Sequence, residues 1–117
     1  MRFVISSIVA LVFATVAPSW AEMPLAAPTG ADKGAAMHNA EGIAAYDKGQ
    51  FGSAEVHFRE AVKIAPNFAQ GHFNLGLALH GQGKHKDATE SFKAAKRLAP
   101  DNKAIAGSET LNAHVKM

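Results

Sequence analysis

The strongest constraint on the fold is an internal repeat with a period of 34 residues. Residues 35–68 and 69–102 carry identical amino acids at ten aligned positions. In each copy, small and apolar residues recur at helical spacing, and a glycine near the middle, Gly49 or Gly83, interrupts the pattern. The sequence therefore predicts two helices and a tight turn in each copy, and a chain that folds by stacking such hairpins. We call residues 35–68 repeat 1 and residues 69–102 repeat 2.

Turn and proline residues predict the helix boundaries. The four helices are expected at about residues 35–48, from 52 or 53 to 65, 69–82 and 86–99. Gly49 and Gly83 are expected to end the first helix of each hairpin in the left-handed conformation. Ser53 is a candidate cap for the second helix, and Pro66 and Pro100 follow the ends of the second helices.

Glycines in the middle of helices suggest a close helix–helix contact. Gly42 and Gly76 lie where glycine costs about 1 kcal/mol relative to alanine. We expect Ala54 and Ala88 of the second helices to pack against them, and one phenylalanine per repeat to fill the gap between hairpins. The residues expected to hold this interior together are Gly42, Ala54, Phe58, Pro66, Gly76, Ala88, Phe92 and Pro100.

A characteristic set of residues marks repeat 2, namely Leu75, Gly76, Ala88, Phe92, Ala95 and Pro100. This set resembles the signature of the tetratricopeptide repeat family. Repeat 1 keeps most of these positions but has Glu41 where the family usually has an apolar residue. The resemblance implies an all-α fold of two helix-turn-helix hairpins plus a C-terminal capping helix, a fragment of an α-solenoid. It implies little about function, because one fold serves many functions.

The N-terminal 21 residues resemble a targeting segment. Met1 and Arg2 precede fifteen uncharged residues, and the small residues Ser19 and Ala21 follow. This pattern predicts a secretory signal peptide over residues 1–21, cut after Ala21, and hence a periplasmic or secreted bacterial protein. The alternative is an uncleaved membrane anchor, although a bilayer span needs roughly twenty apolar residues.

Two further segments flank the repeats. Residues 22–34 carry prolines and a glycine and have no core-facing period, so they are predicted to be a flexible linker without chemistry of its own. Residues 103–117 are predicted to form one capping helix that covers the apolar side of the last hairpin.

Composition excludes several classes of function. The chain has no cysteine, which excludes disulfides, thiolate catalysis, zinc ribbons and thioether-linked haem. Lysine and arginine alternate with acidic residues, so no nucleic-acid partner is expected. No phosphate-binding loop or activated nucleophile is present in the sequence, so we expect neither an enzyme nor a cofactor.

The family resemblance implies that the first helix of each hairpin lines a concave groove. The groove residues expected to bind a partner protein or peptide are Asn39, Ile43, Tyr46, Phe73, Leu77, His80, Leu111 and His114. The alternative is that some of them pack against the capping helix. Recognition of a C-terminal carboxylate is not expected, because only Asn74 falls where such a clamp requires an amide or a cation. After cleavage of the signal peptide, no membrane association is expected.

Six histidines raise the question of metal binding. His80 and His114 are 34 residues apart, so they are expected on adjacent repeats roughly 10 Å from one another. That separation is too long for one ion with bonds of about 2 Å, and no metal site is predicted. His80 and His85 straddle a turn and are expected to lie closer. Two alternatives to a partner-binding module remain open. They are a small periplasmic metal- or ligand-binding protein, and a homo-oligomeric scaffold whose groove receives the tail or linker of another copy.

Overall fold

Six helices and their connections make up the part of the chain that the structure, a computed structural model, describes, residues 22–116. The helices are α1 (Lys33–Asp47), α2 (Phe51–Ile64), α3 (Ala69–Gly81), α4 (His85–Leu98), α5 (Lys103–Ala106) and α6 (Glu109–Val115). α1 and α2 form one hairpin, α3 and α4 form the second, and α2 packs against α3. The predicted all-α architecture of two stacked hairpins is confirmed.

The predicted signal peptide, residues 1–21, lies outside the described residues. Within residues 22–116, none of the helices has the length and apolar character needed to cross a membrane.

Both hairpin turns depend on a glycine. Gly49 and Gly83 have φ values of 74° and 76°, which confirms the predicted left-handed helix ends. The prediction that Ser53 caps the second helix is wrong, because α2 begins at Phe51 and Ser53 lies inside its first turn. α1 also begins earlier than expected, since the carboxylate of Asp32 accepts a hydrogen bond from the backbone of the third residue of that helix.

Each repeat is closed by contact between a glycine and a phenylalanine. A Cβ atom added to Gly42 would lie 2.5 Å from Cε1 of Phe58, and one added to Gly76 would lie 2.5 Å from Cε1 of Phe92. Both phenylalanines are fully buried. The rings therefore pack within their own hairpins rather than between neighbouring hairpins as predicted, and each replaces the volume that an alanine methyl group would occupy.

The main hydrophobic core runs through both hairpins into the cap. Ala54 and Ala88 are fully buried in it, but neither is among the nearest neighbours of the glycines, so the prediction that these alanines require glycine is wrong. Phe73 of α3 contacts Phe92 of α4, with ring centroids 5.8 Å apart. Pro66 and the other repeat-end proline, Pro100, are exposed beyond the ends of α2 and α4.

The cap consists of two short helices rather than the single predicted helix. The break falls at Gly107, and Ser108 then caps α6 by accepting a hydrogen bond from the backbone N–H of Leu111. Asn102 caps α5, as the sequence suggested. Ile105 and Leu111 are fully buried, and α6 packs mainly on α4. The second cap residue thus redirects the chain back onto repeat 2.

Candidate functional site

The inner face of the repeats is covered by residues 22–27, which we call the docked segment. The backbone N–H of Leu25 donates to Oδ1 of Asn74 at 2.7 Å. The carbonyl oxygen of Leu25 accepts from Nδ2 of Asn74 at 2.8 Å and from Nδ2 of Asn39 at 3.0 Å. Nδ2 of Asn74 also donates to Oδ1 of Asn39 at 2.7 Å. Two buried amides from α1 and α3 therefore satisfy both backbone polar groups of one residue, a form of recognition that reads an extended main chain.

The first residue of the docked segment reaches from α1 to the cap. The hydroxyl of Tyr46 donates to the carbonyl oxygen of Glu22 at 3.1 Å. The carboxylate of Glu22 accepts hydrogen bonds from the hydroxyl of Ser108 and from the backbone N–H of Thr110, the latter at 3.0 Å. Since Ser108 is itself buried, this carboxylate links the start of the described chain to a cap 86 residues away.

Apolar side chains of the same segment also contact the repeats. Leu25 is partly buried against the main core, and Ala27 packs against a second, smaller cluster formed by Ala35, Ala61 and Phe68. Met23, by contrast, is 73% exposed. The predicted linker therefore has chemistry of its own, and the expectation of a tether without contacts is wrong. Its sequence lacks a period because it lies extended on helices instead of forming one.

Three histidines meet beside this groove, and we call His80, His85 and His114 the histidine cluster. Nδ1 of His80 lies 2.9 Å from Nε2 of His114, and one ring nitrogen from each of the three residues lies within 4.8 Å of the other two. The predicted separation of His80 and His114 is therefore wrong. The prediction treated the tail as a further repeat, whereas α6 folds back onto α4 after the break at Gly107.

Burial lowers the pKa values of two members of the histidine cluster. For His80, burial is the main cause, His85 lowers the pKa further, and the carboxylate of Glu22 opposes both. For His114, burial again dominates, and His80 and His85 add to it. Both imidazoles are therefore held in the neutral form at physiological pH.

A second group of possible metal ligands lies at the α1–α2 surface. Nδ1 of His57 is 3.0 Å from Oε2 of Glu41, and Nδ1 of His38 is 3.4 Å from Nδ1 of His57. All three side chains are partly or largely exposed. Although sequence analysis found no acidic residue accompanying the histidines, packing of α1 on α2 brings Glu41 between two of them.

Comparison with known proteins decides the family. A sequence model described as Tetratricopeptide repeat matches residues 39–103, more than half of the chain. The chain belongs to the tetratricopeptide repeat family. No curated protein and no solved structure matched it. Tetratricopeptide repeats generally mediate protein–protein interaction.

Two of the predicted groove residues contact the docked segment in this tetratricopeptide repeat protein. These are Asn39 and Tyr46, both on α1. Sequence reasoning missed the second amide, Asn74, as a groove residue, although a polar residue within the otherwise apolar run of α3 was a usable signal. It also missed Ser108, because the tail was predicted to be one continuous helix.

Other predicted groove residues are covered. Phe73 and Leu77 are each 2% exposed and Leu111 is fully buried, so all three belong to the core of the repeats and cap. Ile43 is partly buried against the same core. With the docked segment in place, these side chains offer little surface to another molecule. His80 and His114, predicted as groove-edge residues, lie instead in the histidine cluster.

Proposed function

We propose that this chain is an exported interaction module that binds an extended segment of a partner protein in the groove that its own docked segment fills. The observation that supports this most directly is the pair of buried amides, Asn39 and Asn74, aimed at the backbone of Leu25. Export is suggested by the sequence of residues 1–21. Binding would involve no covalent chemistry and no cofactor, in keeping with a family that is generally non-catalytic.

The contacts of the docked segment define the chemistry of the partner. The amide pair requires an extended main chain with free N–H and C=O groups. The site around Leu25 favours an aliphatic side chain, since this residue packs against the hydrophobic core. Ser108 and the N–H of Thr110 favour a carboxylate three residues earlier, where Glu22 stands. The partner segment is therefore extended, with an acidic residue three positions before an aliphatic one.

The docked segment acts as an internal competitor for such a partner. A short covalent connection gives an intramolecular ligand an effective concentration on the order of millimolar. A partner must displace the docked segment before it can use the same amides. The affinity of the intact chain for a partner is reduced by the fraction of molecules whose groove is filled.

The experiment is a binding measurement with a fluorescent peptide that has the sequence of residues 22–31. Leu25→Asp should release the docked segment, because burying a carboxylate against the core is unfavourable. We expect this variant to bind the peptide at least about tenfold more tightly than the wild type, through loss of the internal competitor. Met23→Asp is the matched control, since the side chain of Met23 is exposed and its variant should bind as the wild type does.

A third variant tests the amide pair. Adding Asn39→Ala to Leu25→Asp should abolish the gain in peptide affinity while circular dichroism shows that the helices are retained. If Leu25→Asp binds the peptide no better than Met23→Asp, the groove is not a receptor for extended segments. Light-scattering mass over a hundredfold concentration range identifies the competing occupant. A concentration-dependent dimer would assign the groove to the docked segment of a second copy and favour the homo-oligomeric scaffold.

A further inference from the structure

A pair of rings spans the turn of each repeat at equivalent positions. In repeat 1 the pair is Tyr46 and Phe51, with ring centroids 5.0 Å apart. In repeat 2 the residues 34 positions later are His80 and His85, with ring centroids 5.3 Å apart. Repeat 1 shows that packing across this turn needs only aromatic rings. The imidazoles of repeat 2 fill the same place and add ring nitrogens that the packing does not require.

The cap brings a third imidazole to these two. The ring of His114 lies 5.1 Å from that of His80 and 5.5 Å from that of His85. In a tetrahedral zinc site, bonds of 2.0–2.1 Å place neighbouring ligand atoms about 3.3 Å apart. The nitrogens of the histidine cluster, which lie within 4.8 Å of one another, bracket that distance. His85 is exposed at the start of α4, so its side chain can rotate to complete the geometry and the site is open to solvent.

A hydroxyl group fixes the protonation of the buried imidazole. Oγ1 of Thr89 donates its single proton to the carbonyl oxygen of His85 at 2.8 Å. The same oxygen lies 2.9 Å from Nδ1 of His114, so it must accept a hydrogen bond from that nitrogen. Nε2 of His114 is then left with a free lone pair directed at Nδ1 of His80. A hydrogen bond from the outer ring nitrogen to a neighbouring oxygen is the arrangement that orients metal-binding histidines.

We propose that His80, His85 and His114 form a binding site for a divalent transition-metal ion, represented by Zn²⁺. The ligands are Nδ1 of His80, Nε2 of His114 and one ring nitrogen of His85, with water in the fourth position. Imidazole suits zinc, copper and nickel, and only the neutral ring coordinates a metal. Burial favours that neutral form because it lowers the pKa of both His80 and His114. On binding, His80 changes tautomer, and the ion replaces the proton between Nδ1 of His80 and Nε2 of His114.

The position of the site gives it a structural consequence. Its ligands come from α3, α4 and α6, so a bound ion would hold the cap on repeat 2. The same cap binds the carboxylate of Glu22 through Ser108 and Thr110. Metal binding is therefore expected to raise the melting temperature of the protein by tying together elements that are otherwise joined only by packing and hydrogen bonds.

The test is a zinc titration of tag-free protein in competition with a chromophoric chelator. The wild type should bind one equivalent at this site. His85→Phe copies the residue at the equivalent position of repeat 1, which keeps the ring and removes its nitrogens. We expect this variant to bind zinc at least about 100-fold more weakly. His57→Ser, which copies Ser91 of repeat 2, disrupts the exposed His38–Glu41–His57 group and should leave the tight equivalent unchanged.

Two further readouts separate coordination from general effects on folding. Zinc should shift the imidazole nitrogen resonances of the histidine cluster and leave those of His72 unchanged, whose Nε2 lies 2.8 Å from the carbonyl oxygen of Pro66. Thr89→Val should weaken zinc binding by about 10- to 100-fold through loss of the orienting hydroxyl. The proposal is overturned if the wild type binds no zinc, if His85→Phe binds it as tightly as the wild type, or if His57→Ser abolishes the tight equivalent.

Discussion

The two repeats have the same interior and different surroundings. In both, a phenylalanine of the second helix occupies the space beside a glycine of the first, at the same distance. Yet α1 buries four of its fifteen residues, whereas α3 buries nine of thirteen. α3 has α2 and α4 on its two sides and also contacts α1 and α6, while α1 lies at the end of the stack. The repeat signature therefore determines the hairpin, and position in the stack determines how much of each helix is buried.

One register position links each hairpin to the element that follows it. In repeat 1 this position is Glu55, whose carboxylate accepts hydrogen bonds from Gln82 at 2.9 Å and from Lys84 at 3.0 Å, both just after α3. In repeat 2 it is Thr89, whose hydroxyl pairs with His114 in the cap. The place of the link is repeated, and its chemistry changes from an ion pair to a neutral hydrogen bond beside the histidine cluster.

Truncating the buried phenylalanines should have the largest effect and should separate the repeats. Phe58→Ala and Phe92→Ala are each expected to lower the free energy of unfolding by roughly 3–5 kcal/mol. The loss should be greater for Phe92, because its ring also contacts Phe73 and lies 5.3 Å from the ring of His114. Urea unfolding followed by circular dichroism measures both losses. Equal losses would show that packing against the cap adds nothing to repeat 2.

Substituting the helical glycines should have a smaller effect that is the same in both repeats. Gly42→Ala and Gly76→Ala each place a methyl group 2.5 Å from a buried ring. Overpacking of this kind costs about 1–3 kcal/mol, less the roughly 1 kcal/mol that alanine gains from helix propensity. Gly52→Ala in α2 is the control, since the nearest atom would be 3.7 Å away and the change should be neutral or stabilising. A stabilising Gly76→Ala, measured by thermal unfolding, would contradict the proposed contact.

The parts of the fold that sequence analysis predicted correctly are those with local signals. The period of 34 residues and the two turn glycines, Gly49 and Gly83, define the hairpins within short windows of sequence. Asn102 is likewise visible as a cap because it directly precedes the helix that it starts. The phenylalanines were recognised as core residues but assigned the wrong neighbours, since spacing shows that a residue is buried without showing which side chain it contacts.

The docked segment could not be predicted in the same way. Its contacts join residues 49 and 86 positions apart, and its sequence has neither helical nor strand periodicity. Only the shape and hydrogen-bonding groups of the folded groove select Leu25 and Glu22. The histidine cluster was missed for a related reason. The break at Gly107 is a local feature, but the direction that α6 takes after it depends on packing against α4.

The smallest predicted effect concerns the charged link between the repeats. Burial raises the pKa of Glu55, but hydrogen bonds from Arg59, Gln82 and Lys84 outweigh it and lower the pKa to about 2. Because the ordinary value in an unfolded chain is about 4.3, the stabilisation is fully present above that pH. It is lost as the pH falls toward about 2, since the unfolded chain then binds the proton more readily than the folded one.

Glu55→Gln should remove this pH dependence and, at neutral pH, lower the free energy of unfolding by about 1 kcal/mol, because the two cationic partners are half exposed and screened by salt. Glu90→Gln is the control, since Glu90 contacts only Lys93 in an exposed pair and its variant should follow the wild type. Urea unfolding at a series of pH values measures the slope. An acid limb shared by Glu55→Gln and the wild type would mean that the stack, and not this carboxylate, joins repeat 1 to repeat 2.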